Sequence, residues 1–507
     1  MRIARRLLIV VLVALTGTIA RPSFAAPRAP LPVDLQRAGV AQLAQALADR
    51  TVTSRQLVSA YLDRVATFDT AGPRLDAVRM LDPTALDQAA RLDQERAQGR
   101  VRGPLHGIPV LVKDNIDAAG LPTTAGAIAL RRSVPAQDSF LVKRLRAAGA
   151  IILGKTNLTE FANFMTTGMP AGFSALGGQV RNPYNLRLTP SGSSAGSGVA
   201  AAAALTTVTI GTETSGSILS PAVANSLVGV KPTVGLVSRT GILPISATQD
   251  TAGPMARSVW DAAALLTALT GIDPQDPVTS RSSGVVGTDY TKALSTTALA
   301  GARIGVVGTP TGAQGAAFNR AQGVLRARGA TVVKVTVDTG GLPPSILAYE
   351  FKRDLNGYLA RLPANAPMKT LADIVRFNVA NAASGTMPFG QTQLVQSNNI
   401  DLTDPALRAT YESNRDRGIA TARQRIDSVL RSRSLDAMLF VGSGSAGIGA
   451  RAQYPSVAVP IGYDPTSGRP FGMTFLGTAF TEARLLALAY AYEQAARVWR
   501  PPPEVNR

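Results

Sequence analysis

The 507-residue sequence contains no cysteine and only one histidine, His106. A chain without cysteine forms neither disulfides nor thiolate metal sites, and one imidazole excludes zinc sites built from several histidines. The acidic pattern DxDxDG, which is typical of calcium loops, does not occur either. We therefore expect no metal and no cofactor, so that any chemistry has to come from hydroxyl, amine and carboxylate side chains.

Apolar runs long enough to cross a membrane are absent as well. Residues 7–15 read LLIVVLVAL, follow a start with three arginines and precede the small-residue pattern Ser23-Phe24-Ala25. This order is typical of a signal peptide over residues 1–25, cleaved after Ala25. A membrane-spanning helix needs about 20 apolar residues, and Arg21 ends this run too early. We expect a periplasmic or secreted protein with no membrane span after cleavage. An uncleaved anchor is the alternative, and the choice between Sec and twin-arginine export stays open.

Acidic residues are scarce relative to basic ones, and the formal net charge is +19. Such an excess can indicate a nucleic acid or an anionic surface as partner. Here the basic residues are spread along the chain, as in RQRIDSVLRSRS, and aromatic residues make up only 5% of the sequence. We interpret the charges as solvated helix faces and expect no nucleic-acid partner, while the oligomeric state is left open.

Apolar periodicity predicts alternating strands and helices over residues 26–507. We expect one large α/β domain, with a mixed central β-sheet covered by helices on both faces. Its parts are N-terminal helices at 33–100, a catalytic core segment at 101–260 and a possible surface excursion at 271–289, which is rich in turn-forming residues. The predicted strands are IPVLV, AIIL, LTTVTIG, LVGVKP, ARIGVVG, ATVVKVTV, AMLFVG, SVAVPIG and FGMTFLG. The predicted helices are VAQLAQALADR, SRQLVSAYLDRVATF, PTALDQAARLDQERAQG, SFLVKRLRAA, SVWDAAALLTALTG, residues 405–431 and EARLLALAYAYEQAARVW.

Two finer predictions concern helix starts, and one concerns a phosphate loop. Ser54 is expected as an N-cap, and Asn157-Leu158-Thr159-Glu160 resembles a capping box that begins a new helix. Residues 149–156 match the phosphate-binding pattern GxxxxGK[ST], but the four variable residues are apolar and typical of a strand rather than of a turn. We therefore expect no nucleotide there and give Lys155 a packing or supporting role at a strand end.

Two segments rich in glycine and serine carry the residues most suited to chemistry, PSGSSAGSG at 190–198 and GTETSGSI at 211–218. The stretch between them predicts a helix and then a strand, which would place both loops at one end of the sheet. Small residues let backbone N–H groups approach a ligand, and a turn leading into a helix presents unpaired N–H groups to an oxyanion. Each segment alone is an ordinary turn. Together with a lysine at a strand end, they indicate a catalytic site.

A serine nucleophile requires a base, and the sequence offers three kinds. His106 would serve a Ser-His-Asp triad, but it lies between two prolines and suits a turn equally well. Carboxylates such as Glu213 or Asp114 are weak bases toward a hydroxyl. A lysine acts as a base when burial keeps it neutral. The lysines of this region are Lys113, Lys155 and Lys231.

These segments resemble the amidase signature family, and the resemblance covers nearly all of the chain after the predicted signal peptide. It rests on GIPVLVKDNID, GKTNLTEF, PSGSSAGSG followed by GTETSGSILSPA, and VGVKPTVGLVS. The Ser–cis-Ser–Lys triad of the family implies Ser217 as the nucleophile, Ser193 as the bridging serine and Lys113 as the base. The usual spacing of 24 residues between the two serines is present.

The resemblance also implies an oxyanion turn formed by the backbone of Thr214, Ser215 and Gly216. The family commonly has GTDxGGS in this loop, whereas here Glu213 replaces the aspartate and Ser215 replaces the first glycine. The glycine pair before the usual serine pair is likewise Ser191-Gly192. Ser215 is therefore a competing serine, and its side chain bears on the shape expected for the turn.

Within the family, the GTET form, NLTEFANF with the nearby GGQVRNPY, and LAYEFKRDLNGYLARL are most similar to bacterial peptide amidases, which remove C-terminal carboxamides. The implied substrate is a peptide or small-molecule amide, hydrolysed with release of ammonia. Hydrolysis of small aliphatic, aryl or fatty-acid amides is the alternative, and an exported ligand-binding protein is the non-enzyme alternative. Glutamine-hydrolysing subunits of tRNA amidotransferases share the triad, but an exported chain would not meet charged tRNA.

Overall fold

An 11-stranded sheet forms the centre of the protein, for which the computed structural model describes residues 31–505. The strand order is β1-β3-β2-β6-β8-β7-β12-β13-β11-β9-β10, and a two-stranded sheet, β4-β5, lies apart from it. Strands β2, β3 and β6 are mutually parallel, as are β9, β10 and β11, and the other pairs are antiparallel. The predicted single α/β domain with a mixed, helix-covered sheet is therefore confirmed. The predicted signal peptide lies outside the described residues.

The strands and helices have the following bounds. The strands are β1 Val78–Leu81, β2 Pro109–Lys113, β3 Ile151–Thr156, β4 Phe173–Ser174, β5 Gly178–Gln179, β6 Val208–Glu213, β7 Val228–Lys231, β8 Thr251–Ala256, β9 Arg303–Val307, β10 Thr331–Val335, β11 Ala437–Val441, β12 Ser456–Tyr463 and β13 Pro470–Leu476. The helices are α1 Val40–Ala48, α2 Ser54–Arg64, α3 Ala85–Ala97, α4 Phe140–Ala147, α5 Glu160–Asn163, α6 Ala195–Ala202, α7 Leu219–Ala224, α8 Val259–Leu269, α9 Gly312–Ala327, α10 Leu347–Ala360, α11 Leu371–Ala380, α12 Thr392–Asn398, α13 Pro405–Ser432, α14 Ala446–Ala452 and α15 Glu482–Ala496.

Three parallel strands bring the two glycine- and serine-rich loops together. Every residue of β2, β3 and β6 is buried, as is usual for parallel strands that are covered on both faces. Val112 of β2 lies opposite Lys155 of β3 on one side and Ile210 of β6 on the other. Carboxyl ends of neighbouring parallel strands meet at one edge of a sheet. Lys113, the last residue of β2, therefore reaches the same edge as the loop after β6.

The structure corrects two helix starts. Thr53, not Ser54, is the N-cap of α2, since its side chain accepts the N–H of Gln56, and Ser54 is the first helical residue. The expected capping box at 157–160 is also wrong: Phe161 and Ala162 have left-handed backbone angles, so α5 is a single irregular turn. The Thr159 hydroxyl instead accepts the N–H of Gly172, a contact outside the local sequence.

Two strands of the sheet escaped the sequence analysis. Strand β1 lies within the segment expected to be helical, and it pairs with the edge of β3. Strand β8 reads TAGPMA and lies between β6 and β7, although proline and glycine are uncommon inside strands. A Cβ on Gly253 would lie 2.0 Å from the Val230 carbonyl oxygen. The glycine is therefore required by the close approach of β7.

Residues 271–289 form a turn-rich segment with a short 3-10 helix, Pro277–Ser282. Ser238 donates to Asp273 at 2.6 Å, and Arg239 pairs with Asp276. The chain then continues into β9 of the same sheet, so the segment does not separate two domains. Within residues 31–505, no helix combines the length and the apolarity needed to cross a bilayer.

Candidate active site

Lys113 is the centre of a buried polar cluster at the carboxyl edge of the sheet. Its side chain is fully buried, and its Nζ lies 2.8 Å from Ser193 Oγ, 3.0 Å from Thr212 Oγ1 and 3.3 Å from the Thr212 carbonyl oxygen. Burial lowers the pKa of Lys113 to about 7, against the opposing charges of Asp250 and Glu213. Near neutral pH, a large fraction of this amine is uncharged and able to accept a proton from a hydroxyl.

Ser193 is held by the loop that precedes α6. The peptide bond between Gly192 and Ser193 is cis, and the Ser193 carbonyl accepts the N–H of Thr159 at 3.0 Å. A Cβ on Gly192 would lie 2.4 Å from Thr159 Oγ1, so only glycine fits there. Ser191, which stands where the family commonly has glycine, adopts a left-handed φ of 60°. The loop thus keeps a glycine-like backbone at Ser191 while retaining a serine side chain.

The Ser217 loop connects β6 to α7 and lies beside the Ser193 loop. The N–H of Ser194 donates to the Ser217 carbonyl at 3.1 Å and joins the two loops. Ser217 is 9% exposed, which leaves it at the edge of the buried cluster. Among the described residues, the hydrogen bonds from Lys113 reach Ser193 but do not extend to the Ser217 hydroxyl.

The turn before Ser217 has the features of an anion site. Within residues 31–505, the backbone N–H groups of Thr214 to Ser217 find no hydrogen-bond acceptor. Gly216 has a φ of 93°, whereas Ser215 is exposed and is not among the residues with positive φ. A side chain at position 215 therefore requires no left-handed backbone.

Glu213 holds this loop rather than serving as a base. Its Oε2 accepts the N–H of Ile218 at 2.7 Å and that of Leu219 at 2.9 Å. The carboxylate thus caps the start of α7 and closes the chain from Glu213 to Ile218 into a compact turn. Sequence analysis gave Glu213 no capping role, because an acid six residues before the first residue of a helix gives no local capping signal.

The other candidate bases lie in different surroundings. His106 is buried at the opposite end of β2, and its Nε2 contacts the Leu92 carbonyl at 2.9 Å. The four steps from Pro109 to Lys113 alone span about 13 Å of strand. Lys155 forms an ion pair with Asp114 at 3.3 Å. Lys231 donates to the carbonyls of Tyr454 and Pro232 at 2.6 and 3.3 Å. Of the four, only Lys113 contacts Ser193.

A cavity of about 310 Å³ adjoins the cluster. Asn115, Thr212 and Thr214 form its inner wall, and α10 contributes Arg353 and Asp354 to its outer wall. Further lining residues include Arg239, Asp250, Asp276, Arg361 and the apolar run Ile242–Ile245. The stretch LAYEFKRDLNGYLARL therefore borders a cleft as well as covering the sheet. Sequence analysis missed Thr212 and Asp250, of which only Thr212 lies within a recognised motif.

Fold and site together define an enzyme of the hydrolase class, in which a buried amine contacts a serine where two glycine- and serine-rich loops meet. The Amidase family model matches residues 56–446. The chain belongs to the amidase family, and it is an amidase that hydrolyses linear amides.

Similar proteins also support membership of the amidase family. The structure of a peptide amidase from Stenotrophomonas maltophilia is 45% identical, with a TM-score of 0.87, over 93% of this chain and 99% of that chain. A probable amidase of Arabidopsis thaliana is 38% identical over 478 residues, which is 92% of each sequence. A glutamyl-tRNA(Gln) amidotransferase subunit from a Synechococcus strain is 31% identical, over 91% of this chain and 96% of its own length. The resemblance to amidase signature enzymes and to peptide amidases is thereby confirmed.

Proposed function

We propose that the protein is an exported serine amidohydrolase that removes the C-terminal carboxamide of peptides. The contact of 2.8 Å between Lys113 Nζ and Ser193 Oγ carries this proposal, because a neutral buried amine beside a serine is the required base. Ser217 is the nucleophile, Ser193 the bridging hydroxyl and Lys113 the base.

In the proposed reaction, Ser217 Oγ attacks the amide carbonyl while its proton passes through Ser193 to Lys113. Binding of the substrate would bring the hydroxyls of Ser217 and Ser193 into contact, since catalytic hydrogen bonds often become short only in the substrate complex. The N–H groups of Thr214 to Ser217 stabilise the oxyanion, and one such donor is worth about 3–4 kcal/mol of barrier. The C–N bond then breaks as the proton returns to the leaving nitrogen. Water, activated by the same relay, hydrolyses the ester on Ser217.

The cavity supports a peptide-like acyl group. Its lining includes three arginines and three aspartates, besides several backbone and hydroxyl groups. Its volume of about 310 Å³ is at the small end of the range for ligand sites. A fatty acyl chain requires a longer apolar channel, so this lining favours a short polar acyl group such as one or two amino-acid residues.

Export is the second part of the proposal. It is supported by the basic start, the short apolar run and the small residues before Ala26. Mass spectrometry of the native protein from the periplasm or the culture medium should give an N-terminus at Ala26. Recovery of an intact Met1 chain in the cytoplasm would contradict export and leave the chemistry unaffected.

Activity is tested by ammonia release from peptide amides, free amino-acid amides and aliphatic amides. We expect the highest kcat/KM on peptide amides, and a loss of activity in Ser217→Ala. Ser215→Ala is the matched control, because this serine lies on the same turn and is exposed. Equal rates for Ser217→Ala and the wild type would refute the assignment of the nucleophile.

Covalent labelling provides an independent test of the same residue. A fluorophosphonate should modify the peptide that carries Ser217 and leave the peptide that carries Ser193 unmodified. His106→Ala should keep most of the labelling rate, because its ring contacts the Leu92 carbonyl rather than the serines.

A further inference from the structure

Asp250 lies between the cavity and the turn that precedes Ser217. It lines the cavity and is 9% exposed. Its Oδ1 accepts the Thr214 hydroxyl at 2.5 Å, and its Oδ2 accepts the backbone N–H groups of Ile245 and Ser246, each at 2.8 Å. One carboxylate oxygen therefore holds the oxyanion turn, and the other holds the loop that forms the cavity wall.

The same loop contacts Thr214 a second time. Gln249 Nε2 donates to the Thr214 carbonyl oxygen at 3.3 Å. Both the hydroxyl and the carbonyl of Thr214 are thus held by residues of the 245–250 loop. The orientation of the peptide groups that follow Thr214 depends on this loop, because β6 ends at Glu213.

Helix α10 in its turn holds the 245–250 loop through two carboxylates. Glu350 is fully buried and accepts the Thr248 hydroxyl at 2.6 Å and the hydroxyl of Ser246. Asp354 accepts the N–H of Ala247 at 2.7 Å. A continuous set of hydrogen bonds therefore joins the helix on the outer cavity wall to the turn that would hold the oxyanion.

We propose that Asp250 is a positioning residue for the reaction, which orients Thr214 and thereby the oxyanion turn, and which links the acyl cavity to the nucleophile. This inference rests on the proposed function of Ser217. A displacement of about 1 Å in such a site lowers the rate by about 100-fold. The hydrogen bond from Thr214 is therefore expected to affect kcat more than KM.

The charge of Asp250 also affects the pKa of Lys113. This effect distinguishes a role in the reaction from a contribution to stability alone. Asp250 and Glu213 both raise the pKa of Lys113, against the lowering by burial. Burial raises the pKa of Asp250 itself to about 6, and the hydrogen bond from Thr214 is the largest factor that opposes this rise. Replacing Asp250 by a neutral residue therefore lowers the pKa of Lys113, and the acid limb of the activity profile moves to lower pH.

The test compares four variants of the full-length enzyme on one peptide amide. We expect Thr214→Val to lower kcat by about 10–100-fold, with KM within about threefold of the wild type, and Thr214→Ser to restore most of the rate. Asp250→Asn should lower kcat and also move the acid limb of the pH profile to lower pH. Thr214→Val leaves the carboxyl group in place but removes a hydrogen bond that lowers the pKa of Asp250, so it should move the limb in the same direction by less than Asp250→Asn does.

Asp69→Asn is the control for a structural effect alone. Asp69 is a buried carboxylate that also accepts two adjacent backbone N–H groups, those of Ala77 and Val78, at 2.7 and 3.0 Å. The Asp69→Asn variant should have a lower Tm, as Asp250→Asn does, but its kcat and its pH profile should equal those of the wild type.

If the wild type is active and Thr214→Val has the same kcat, the inference about Asp250 is wrong while the proposed function stands. If Asp250→Asn does not fold, the comparison of Thr214→Val with Thr214→Ser still tests the inference. A wild type that is inactive on every amide would overturn the proposed function and the inference with it.

Discussion

Two lysines on neighbouring strands, Lys113 and Lys155, are both fully buried, yet their surroundings differ in one respect. Lys155 Nζ lies 3.3 Å from the Asp114 carboxylate and donates to Thr123 Oγ1 at 3.1 Å. The acceptors of Lys113 are hydroxyls and a carbonyl, with no carboxylate within salt-bridge distance among the described residues. Burial lowers the pKa of both amines, and Asp114 opposes this at Lys155 through direct contact. Burial without a contacting counter-ion therefore separates a candidate base from a structural cation.

The largest expected effect is on activity at the first of these lysines. Lys113→Met should lower kcat by at least about 10³-fold, because the amine that contacts Ser193 is removed. The same change should raise the free energy of unfolding at pH 7, since a fully buried amine with a depressed pKa costs stability below its unfolded pKa. Ammonia release and urea denaturation measure the two quantities. Loss of both activity and stability would place Lys113 with Lys155 as a structural residue.

The second lysine should show the reverse behaviour. Lys155→Met leaves the Asp114 carboxylate buried without its cation, which typically costs about 3–5 kcal/mol. The folded fraction should retain labelling of Ser217 by a fluorophosphonate. Adding Asp114→Asn should recover part of the lost stability, and a double-mutant cycle by urea denaturation measures the interaction. Additive single effects would show that the two side chains do not act as a pair.

The pH dependence sharpens the comparison further. The proposed base is the neutral form of Lys113, whose pKa is about 7, so kcat/KM should rise about tenfold per pH unit below that value and level off above it. The relay groups titrate jointly, so the profile reports the site as a whole. Thr123→Val, which removes a contact of Lys155 and none of the contacts of Lys113, should leave the profile in place. A profile that is flat from pH 5 to 8 would contradict a lysine base.

The smallest expected effects come from the hydroxyls that contact each amine. Thr212→Val removes an acceptor of Lys113 and should lower kcat/KM by about tenfold, which corresponds to one hydrogen bond to a charged or reacting group. Thr123→Val removes the corresponding acceptor of Lys155 and should cost about 1 kcal/mol of stability with normal kcat. Equal effects of both changes on kcat/KM would remove the distinction between the two sites.

The sequence was sufficient for the sheet strands that are rich in β-branched and other apolar residues, and for the two glycine- and serine-rich loops at one edge. It was insufficient where the decisive contact is long-range. Lys113, Lys155 and Lys231 all lie in strands and are buried, so residue type and periodicity did not separate them, and the family resemblance was needed to choose. Their acceptors come from other elements, as Thr212 does for Lys113.

The features that the sequence analysis missed also depend on contacts between residues that are distant in the chain. Strand β8 contains a glycine and a proline, and only the close approach of β7 explains the glycine. The turn at 161–162 has the sequence of a helix start, but Phe161 donates its N–H to Ala125 and adopts a left-handed angle. Asp250 lies in an unremarkable SATQD stretch, and its importance arises from contacts with Thr214, which is distant in sequence.

The uncharged state of Lys113 is tested most directly by NMR titration of protein labelled with ¹³C at the lysine Cε atoms. One resonance should be missing in Lys113→Met, and in the wild type that resonance should titrate with a midpoint near pH 7. A midpoint above about 9, close to that of an exposed lysine, would show a charged Lys113 at neutral pH and would contradict its role as the base.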